Sequence, residues 1–134
     1  MRAKLGVLIA AAGLMVSAVP MFAHHSFAAE YDASKPVELH GTVTKVEWTN
    51  PHARFYIDVK DADGKVTNWN FELASPNVLA RNGWTRHSLK EGDVITVQGS
   101  RAKDGDALAN ARTVTLADGK KVFAGSATDQ EKGQ

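Results

Sequence analysis

The stretch 37–59, VELHGTVTKVEWTNPHARFYIDV, constrains the fold more than any other part of the sequence. Apolar and polar residues alternate along both halves, which predicts two strands, each with one buried face, joined by a turn at 48–52. In the first half the alternation slips by one residue between Val43 and Val46. A β-bulge produces such a slip, and a bulge bends a strand as a small barrel requires. The second half keeps its phase, and its outward-facing set is His52, Arg54, Tyr56 and Asp58.

Three further segments predict strands separated by glycine-containing turns: 65–74, 94–99 and 107–116. Ser75 followed by Pro76 predicts a short helix between the third and fourth strands, because Ser is a preferred N-cap and Pro suits the first helical position. Five strands with one helix in that place is the order of an OB-type barrel. We therefore predict a mainly β, five-stranded OB-like barrel over residues 37–124; a small β-sandwich or an open meander is the alternative. In the fifth strand, the expected core residues are Leu108, Val114 and Leu116.

Residues 1–23 have the layout of a secretory signal peptide, with a basic start, an apolar run over 5–16 and small or helix-breaking residues up to Ala23. The alternative is an uncleaved anchor, since 5–23 carries no charge and is close to the length of about 20 residues that spans a bilayer. The Gly, Ser and Pro content and the lack of a following basic cluster favour cleavage after Ala23. We therefore predict a periplasmic protein without stable membrane insertion after cleavage.

A polar arm, 24–36, separates this leader from the first predicted strand, and the chain ends in a polar tail, 125–134, that we predict to be flexible. Phe27 and Tyr31 lie four residues apart in the arm, so a helical turn would carry both rings to one side and dock them on the barrel. The alternative is a loose arm.

The charge balance of the mature chain argues against nucleic acid as a partner. Removing residues 1–23 from the 134 leaves 111 and takes Arg2 and Lys4 from the 16 basic residues, so 14 basic residues stand against 15 acidic ones. The net charge is then −1, whereas nucleic-acid binding usually needs a basic surface that neutralises phosphates. The sequence has no cysteine, so the exported domain must be stable without disulfides.

Histidines near the predicted cleavage site suggest metal binding. Cleavage after Ala23 would make His24 the N-terminal residue, and an N-terminal His can chelate a metal with its amine and its imidazole. His25, at position two, can bind through its ring, the amine and the intervening amide. His52 could add a further nitrogen, and a square-planar set of nitrogen ligands suits Cu(II). The hypothesis is a copper site at His24, His25 and His52; the alternative is a solvated N-terminus and a turn histidine.

A second hypothesis is a stacking platform of Trp48, Arg54 and Tyr56 that binds a saccharide or another small ligand, as OB folds do. Trp48 could instead close the barrel floor. A passive interaction domain is a third possibility. The sequence has no G-x-S-x-G elbow, no cysteine nucleophile and no glycine-rich phosphate loop, so we do not expect an enzyme. Glu72 is interpreted as an ordinary surface carboxylate.

Four segments together resemble a family of small exported bacterial proteins known only as a domain of unknown function: HHSF at 24–27, GTV at 41–43, NPH at 50–52 and LKEGDVITV at 89–97. The resemblance extends over essentially the whole mature chain. It implies an extracytoplasmic protein with an OB-like barrel and implies no established activity. Three of the matched positions are the histidines of the copper hypothesis.

Overall fold

The structure is a computed structural model that describes residues 27–125. The predicted signal peptide (1–23), the two histidines His24 and His25, and the predicted tail beyond residue 125 lie outside the described residues. Within the described part of the chain, no helix is long and apolar enough to cross a bilayer.

The described elements follow one another as α1 (Phe27–Glu30), β1 (Tyr31–Glu47), β2 (Arg54–Lys60), β3 (Val66–Glu72), α2 (Pro76–Arg81), β4 (Val94–Ala102), β5 (Leu108–Thr115) and β6 (Lys121–Phe123). Helix α2 begins as the sequence predicts: the Ser75 side chain accepts a hydrogen bond from the Val78 amide at 3.4 Å, and Pro76 follows it. The helix therefore starts where its free amides have a cap.

The sheet closes into a ring of five strands. Its order is β3-β2-β1-β4-β5-β6 with antiparallel neighbours, and an additional parallel pairing joins β3 to β5. A closed five-stranded ring with a helix between β3 and β4 is the OB arrangement, which confirms the predicted barrel and excludes the open meander. Strand β6 extends the sheet beyond the ring, next to β5.

The predicted bulge in the first strand is confirmed. The register between β1 and β2 shifts between Val43 and Lys45, so Thr44 is the extra residue. The bent strand β1 pairs with both of its neighbours: Thr42 pairs with Asp58 of β2 on one side and with Val94 of β4 on the other.

The main core fills the ring. The rings of Phe55 and Phe71 stack at 5.2 Å between centroids, and α2 contributes Leu79, which is fully buried. Trp84 and Leu89, from the connection between α2 and β4, are also buried in this cluster. The alternation predicted for β2 therefore places Phe55 inside, where it meets Phe71 of β3.

A second bulge changes the phase of β5. The register between β4 and β5 shifts where Gln98 pairs with Thr113 and Gly99 with Ala111, which leaves Arg112 as the extra residue. The prediction that Leu108 faces the main core is therefore wrong. Val114 does lie in that core, while Ala109, Ala111 and Val114 are its fully buried members from β5.

Residues 27–31 form what we call the N-terminal strap, which lies against the outside of the barrel. The first strand begins at Tyr31, six residues before its predicted start. The rings of Phe27 and Tyr31 lie 5.5 Å apart and pack with Ala102 and Leu108 in a small separate cluster. The Lys103 amide donates to the Glu30 carbonyl at 2.9 Å, and Tyr31 pairs with Ala102. Of the two interpretations of the arm, the docked helical turn describes this segment.

We expect Gly99→Ala to lower the free energy of unfolding by about 3 kcal/mol, because overpacking is costly where backbone cannot yield. A Cβ at Gly99 would collide with the carbonyl oxygen of Asn110 on β5. Chemical denaturation measures the change. Thr42→Ala, at an exposed position of β1, is the control and should change stability by less than about 1 kcal/mol. Equal effects of the two substitutions would contradict this account.

We expect Tyr31→Ala to destabilise the protein by about 3 kcal/mol through loss of the buried ring. Tyr31→Phe should cost less than about 1 kcal/mol, because the buried Tyr31 hydroxyl makes no well-formed hydrogen bond among the described residues. Urea unfolding of the two variants measures the difference. If Tyr31→Phe were as harmful as Tyr31→Ala, the hydroxyl rather than the ring would hold the strap.

Candidate functional site

The candidate site lies on the outer face of the β2–β3 hairpin. Arg54 and Glu72 are register partners on these strands, and both point away from the stacked Phe55 and Phe71 because neighbouring residues of a strand face opposite sides. His52 precedes β2. Backbone hydrogen bonds hold the adjacent Ala53 to the end of β3, with its carbonyl accepting from the Leu73 amide at 2.9 Å. The hairpin thus places His52 and Arg54 beside Glu72.

Both oxygens of Glu72 are occupied. Nδ1 of His52 lies 3.1 Å from Oε1, and Nη2 of Arg54 donates to Oε2 at 2.6 Å. A second guanidinium nitrogen of Arg54 reaches Asn70 Oδ1 at 3.4 Å. Only 6% of the Glu72 side chain is exposed, against 22% for His52. The interpretation of Glu72 as a surface carboxylate is therefore wrong.

The strap and the ring closure explain why this carboxylate is buried. Asn110 of β5 is the register partner of Glu72 across the closing strand pair, and Tyr31 of the strap lies beside Glu72. Both Asn110 and Tyr31 are almost fully buried. The Tyr31 hydroxyl and the Asn110 Nδ2 atom have no well-formed hydrogen bond to any described residue. We call these two residues with His52, Arg54 and Glu72 the outer polar cluster.

Contacts inside the outer polar cluster set the protonation of its members. Burial would raise the pKa of Glu72, but the hydrogen bond from His52 and the charges of His52 and Arg54 outweigh it, and the pKa is lowered. The hydrogen bond to Glu72 raises the pKa of His52, with burial opposing it in part. Burial, followed by the charge of Glu72, raises the pKa of the Tyr31 phenol. Glu72 is therefore an ionised carboxylate at neutral pH.

Each residue of the predicted stacking platform makes contacts of its own in the structure. The Tyr56 hydroxyl donates to Glu47 Oε2 at 3.2 Å, and Lys45 Nζ lies 2.5 Å from Glu47 Oε1 and 5.4 Å from the centre of the Tyr56 ring. Arg54 is engaged by Glu72 instead. Trp48 is half-buried and packs against the main core, the alternative position that the sequence allowed.

Two surface cavities lie elsewhere. One, of about 250 Å³, is lined by Asp93, Val94, Ile95, Leu116, Ala117 and Asp118. The other, of about 380 Å³, is lined by Ala29, Glu30, Lys103 and Asp104, beside the strap. Neither cavity is lined by a residue of the predicted platform.

Of the three predicted metal ligands, the structure describes only His52. Among residues 27–125, no group of three or more His, Cys, Asp or Glu side chains is arranged to hold a metal ion. No described residue hydrogen-bonds to Nε2 of His52, whose Nδ1 faces Glu72. The strap begins at Phe27, two residues after His25, and the charge of Glu30 in the strap acts on the pKa of His52.

Sequence reasoning missed Glu72, although one signal could have found it. The turn after Lys60 fixes the hairpin register, and counting outward from the Lys60–Val66 pair places Arg54 opposite Glu72. Opposite charges facing each other across two strands predict an ion pair. No local sequence pattern predicts that this pair is buried, because its burial depends on the strap and on β5.

The family model of a family of unknown function, DUF6152, matches residues 11–111, so the chain belongs to that family. The resemblance predicted from the sequence is thereby confirmed. No curated protein matches the chain.

Two solved structures with a similar backbone are crystal structures of Rim1, described as a mitochondrial single-stranded DNA-binding protein from S. cerevisiae. One is 9% identical with a TM-score of 0.47. The other is 13% identical with a TM-score of 0.45. Each alignment covers 62% of this chain and 93% of the Rim1 chain.

The His52–Glu72 pair predicts that stability depends on pH. Because the pKa of His52 is raised from its usual 6.5 in the folded protein, protonation of His52 favours folding. This contribution is fully present below pH 6.5 and is lost as the pH rises through the raised pKa. The difference in unfolding free energy between wild type and His52→Gln should therefore shrink with rising pH, as measured by urea titrations on both sides of pH 6.5.

An NMR titration of the folded protein provides the control for this prediction. The His52 ring protons should titrate with a midpoint above 6.5. A midpoint below that value, or a stability difference that grows with pH, would contradict the pairing.

Proposed function

We propose that this protein is a periplasmic binding module that holds copper through His24, His25 and His52, and that it is not an enzyme. The observation that carries the proposal is the state of His52, whose ring is held at Nδ1 by Glu72 while Nε2 has no hydrogen-bond partner among the described residues. Metal-binding histidines commonly have this arrangement, with one ring nitrogen on a carboxylate and the other on the metal.

The position of the strap supports a shared site. His25 precedes Phe27 by two residues, a chain length of about 7 Å at most. The strap that begins at Phe27 packs by its rings on the barrel, and Tyr31 at its end lies beside Glu72. An N-terminal amine, two imidazoles and a third imidazole from His52 would give a metal four nitrogen donors or more.

The donor set favours copper over other metals. Imidazole and amine nitrogens in one plane suit Cu(II), and Cu(II) binds a given nitrogen site more tightly than the other divalent metals of its row. Hard cations such as Ca²⁺ and Mg²⁺ take oxygen ligands. The nearest carboxylate, Glu72, already uses both oxygens on His52 and Arg54.

The alternative ligands gain less support. Arg54 and Tyr56 are engaged by Glu72 and Glu47, so neither is presented freely to a saccharide. The mature net charge of −1 continues to argue against nucleic acid as a partner.

The test is a titration of the mature protein, with His24 as its first residue, with Cu(II). Calorimetry measures the affinity, and electron paramagnetic resonance identifies the nitrogen ligands. We expect tight binding with nitrogen hyperfine splitting. Three extra alanines before His24 should abolish tight binding, because no histidine then lies within the first three residues and the amine is moved away from both rings; a single alanine would place His25 third, where it forms a new Cu(II) chelate with the amine and two amides. His52→Gln should weaken binding about tenfold or more and remove one imidazole from the spectrum.

His87→Gln is the matched control, since His87 is an exposed histidine in the connection before β4. It should leave the affinity and the spectrum unchanged. Equally weak binding by the native and the extended protein would overturn the copper proposal. Unchanged binding by His52→Gln would exclude His52 from the site.

A further inference from the structure

We propose that Glu72 is the positioning residue of this site: its carboxylate fixes His52 in the tautomer with hydrogen on Nδ1, so that Nε2 is the nitrogen offered to the metal. The metal step rests on the proposed function. The tautomer step concerns the protein without metal and can be tested separately.

The first argument is chemical. An ionised carboxylate only accepts hydrogen bonds, so the hydrogen between Oε1 of Glu72 and Nδ1 of His52, 3.1 Å apart, must belong to the ring. A neutral imidazole carries one ring hydrogen. When His52 is neutral, that hydrogen lies on Nδ1 and the lone pair lies on Nε2.

The second argument is that Arg54 also donates to the carboxylate of Glu72. Oε2 of Glu72 accepts from Arg54 at 2.6 Å, and a guanidinium has no acceptor and stays protonated. Arg54 therefore stabilises the ionised form of Glu72. Glu72 therefore has no hydrogen to donate, and the hydrogen bond between Nδ1 and Oε1 runs from the ring to the carboxylate.

The third argument is rigidity. Glu72 follows Phe71, whose ring stacks on Phe55, and the register of β2 and β3 runs without interruption from the Arg54–Glu72 pair to the hairpin turn. The buried Tyr31 lies beside the carboxylate. The sheet thus fixes the position of the Glu72 carboxylate, and the carboxylate holds the ring of His52 in one orientation before a metal binds.

This arrangement has a measurable effect on a metal at Nε2. A carboxylate on the far nitrogen makes the ring a better donor and removes the cost of orienting it on binding. Replacement of such a partner typically lowers metal affinity by about 10–100-fold.

The tautomer is tested in the metal-free protein labelled with ¹⁵N, at a pH above the titration of His52. Long-range ¹H–¹⁵N correlations distinguish a protonated Nδ1 from a protonated Nε2. We expect Nδ1–H in the wild type and a mixture of both forms in Glu72→Gln. Glu47→Gln is the matched control, because Glu47 is a carboxylate at the end of β1 that is paired with Lys45 and Tyr56, and the substitution should leave the wild-type pattern intact.

The same three proteins, each starting at His24, are then titrated with Cu(II). Glu72→Gln should bind about 10–100-fold more weakly, and Glu47→Gln should bind like the wild type. A protonated Nε2 in the wild type, or equal affinity in Glu72→Gln, would overturn the inference. The wild-type spectrum decides the tautomer even where Glu72→Gln does not fold. If the wild type carries the hydrogen on Nδ1 but does not bind copper, the proposed function is wrong and the tautomer assignment is still correct.

Discussion

Three residue pairs between β3 and β5 close the barrel, and both the core and the candidate site depend on them. In this short parallel ladder, Phe71 pairs with Ala109 and Glu72 pairs with Asn110. Since successive residues of a strand point to opposite faces, the first pair lies inside the barrel and the second pair outside. Closing the ring therefore completes the core and, in the same step, brings polar side chains together on the outer surface.

The buried charge of Glu72 has an energetic cost that its contacts with His52 and Arg54 offset. A buried carboxylate is stable only when its charge is paired and its oxygens accept hydrogen bonds. Glu72 has both, from His52 on one oxygen and Arg54 on the other. Breaking one partner of such a group usually costs more than the pair contributes, because the other charge is left buried. The cluster is therefore fixed in one arrangement, which is what a preorganised binding site requires.

The sequence predicts the barrel well because its signals are local. The alternation around Phe55, the slip after Val43 and the Ser75–Pro76 helix start each lie within a few residues. The burial of Glu72 is not local, since it needs a strap that precedes it by about 40 residues and a strand that follows it by almost as many. Accordingly, the sequence predicts His52 and Arg54 as candidate site residues but does not predict their carboxylate partner.

The bulge at Arg112 is a second feature that pattern reading could not supply. Without it, the alternation running back from Val114 would turn Leu108 inward and Ala109 outward. With it, alanines line the core and the larger Leu108 is available to the strap. A single extra residue in β5 thus supplies both the small side chains that line the core and the larger side chain on which the strap packs.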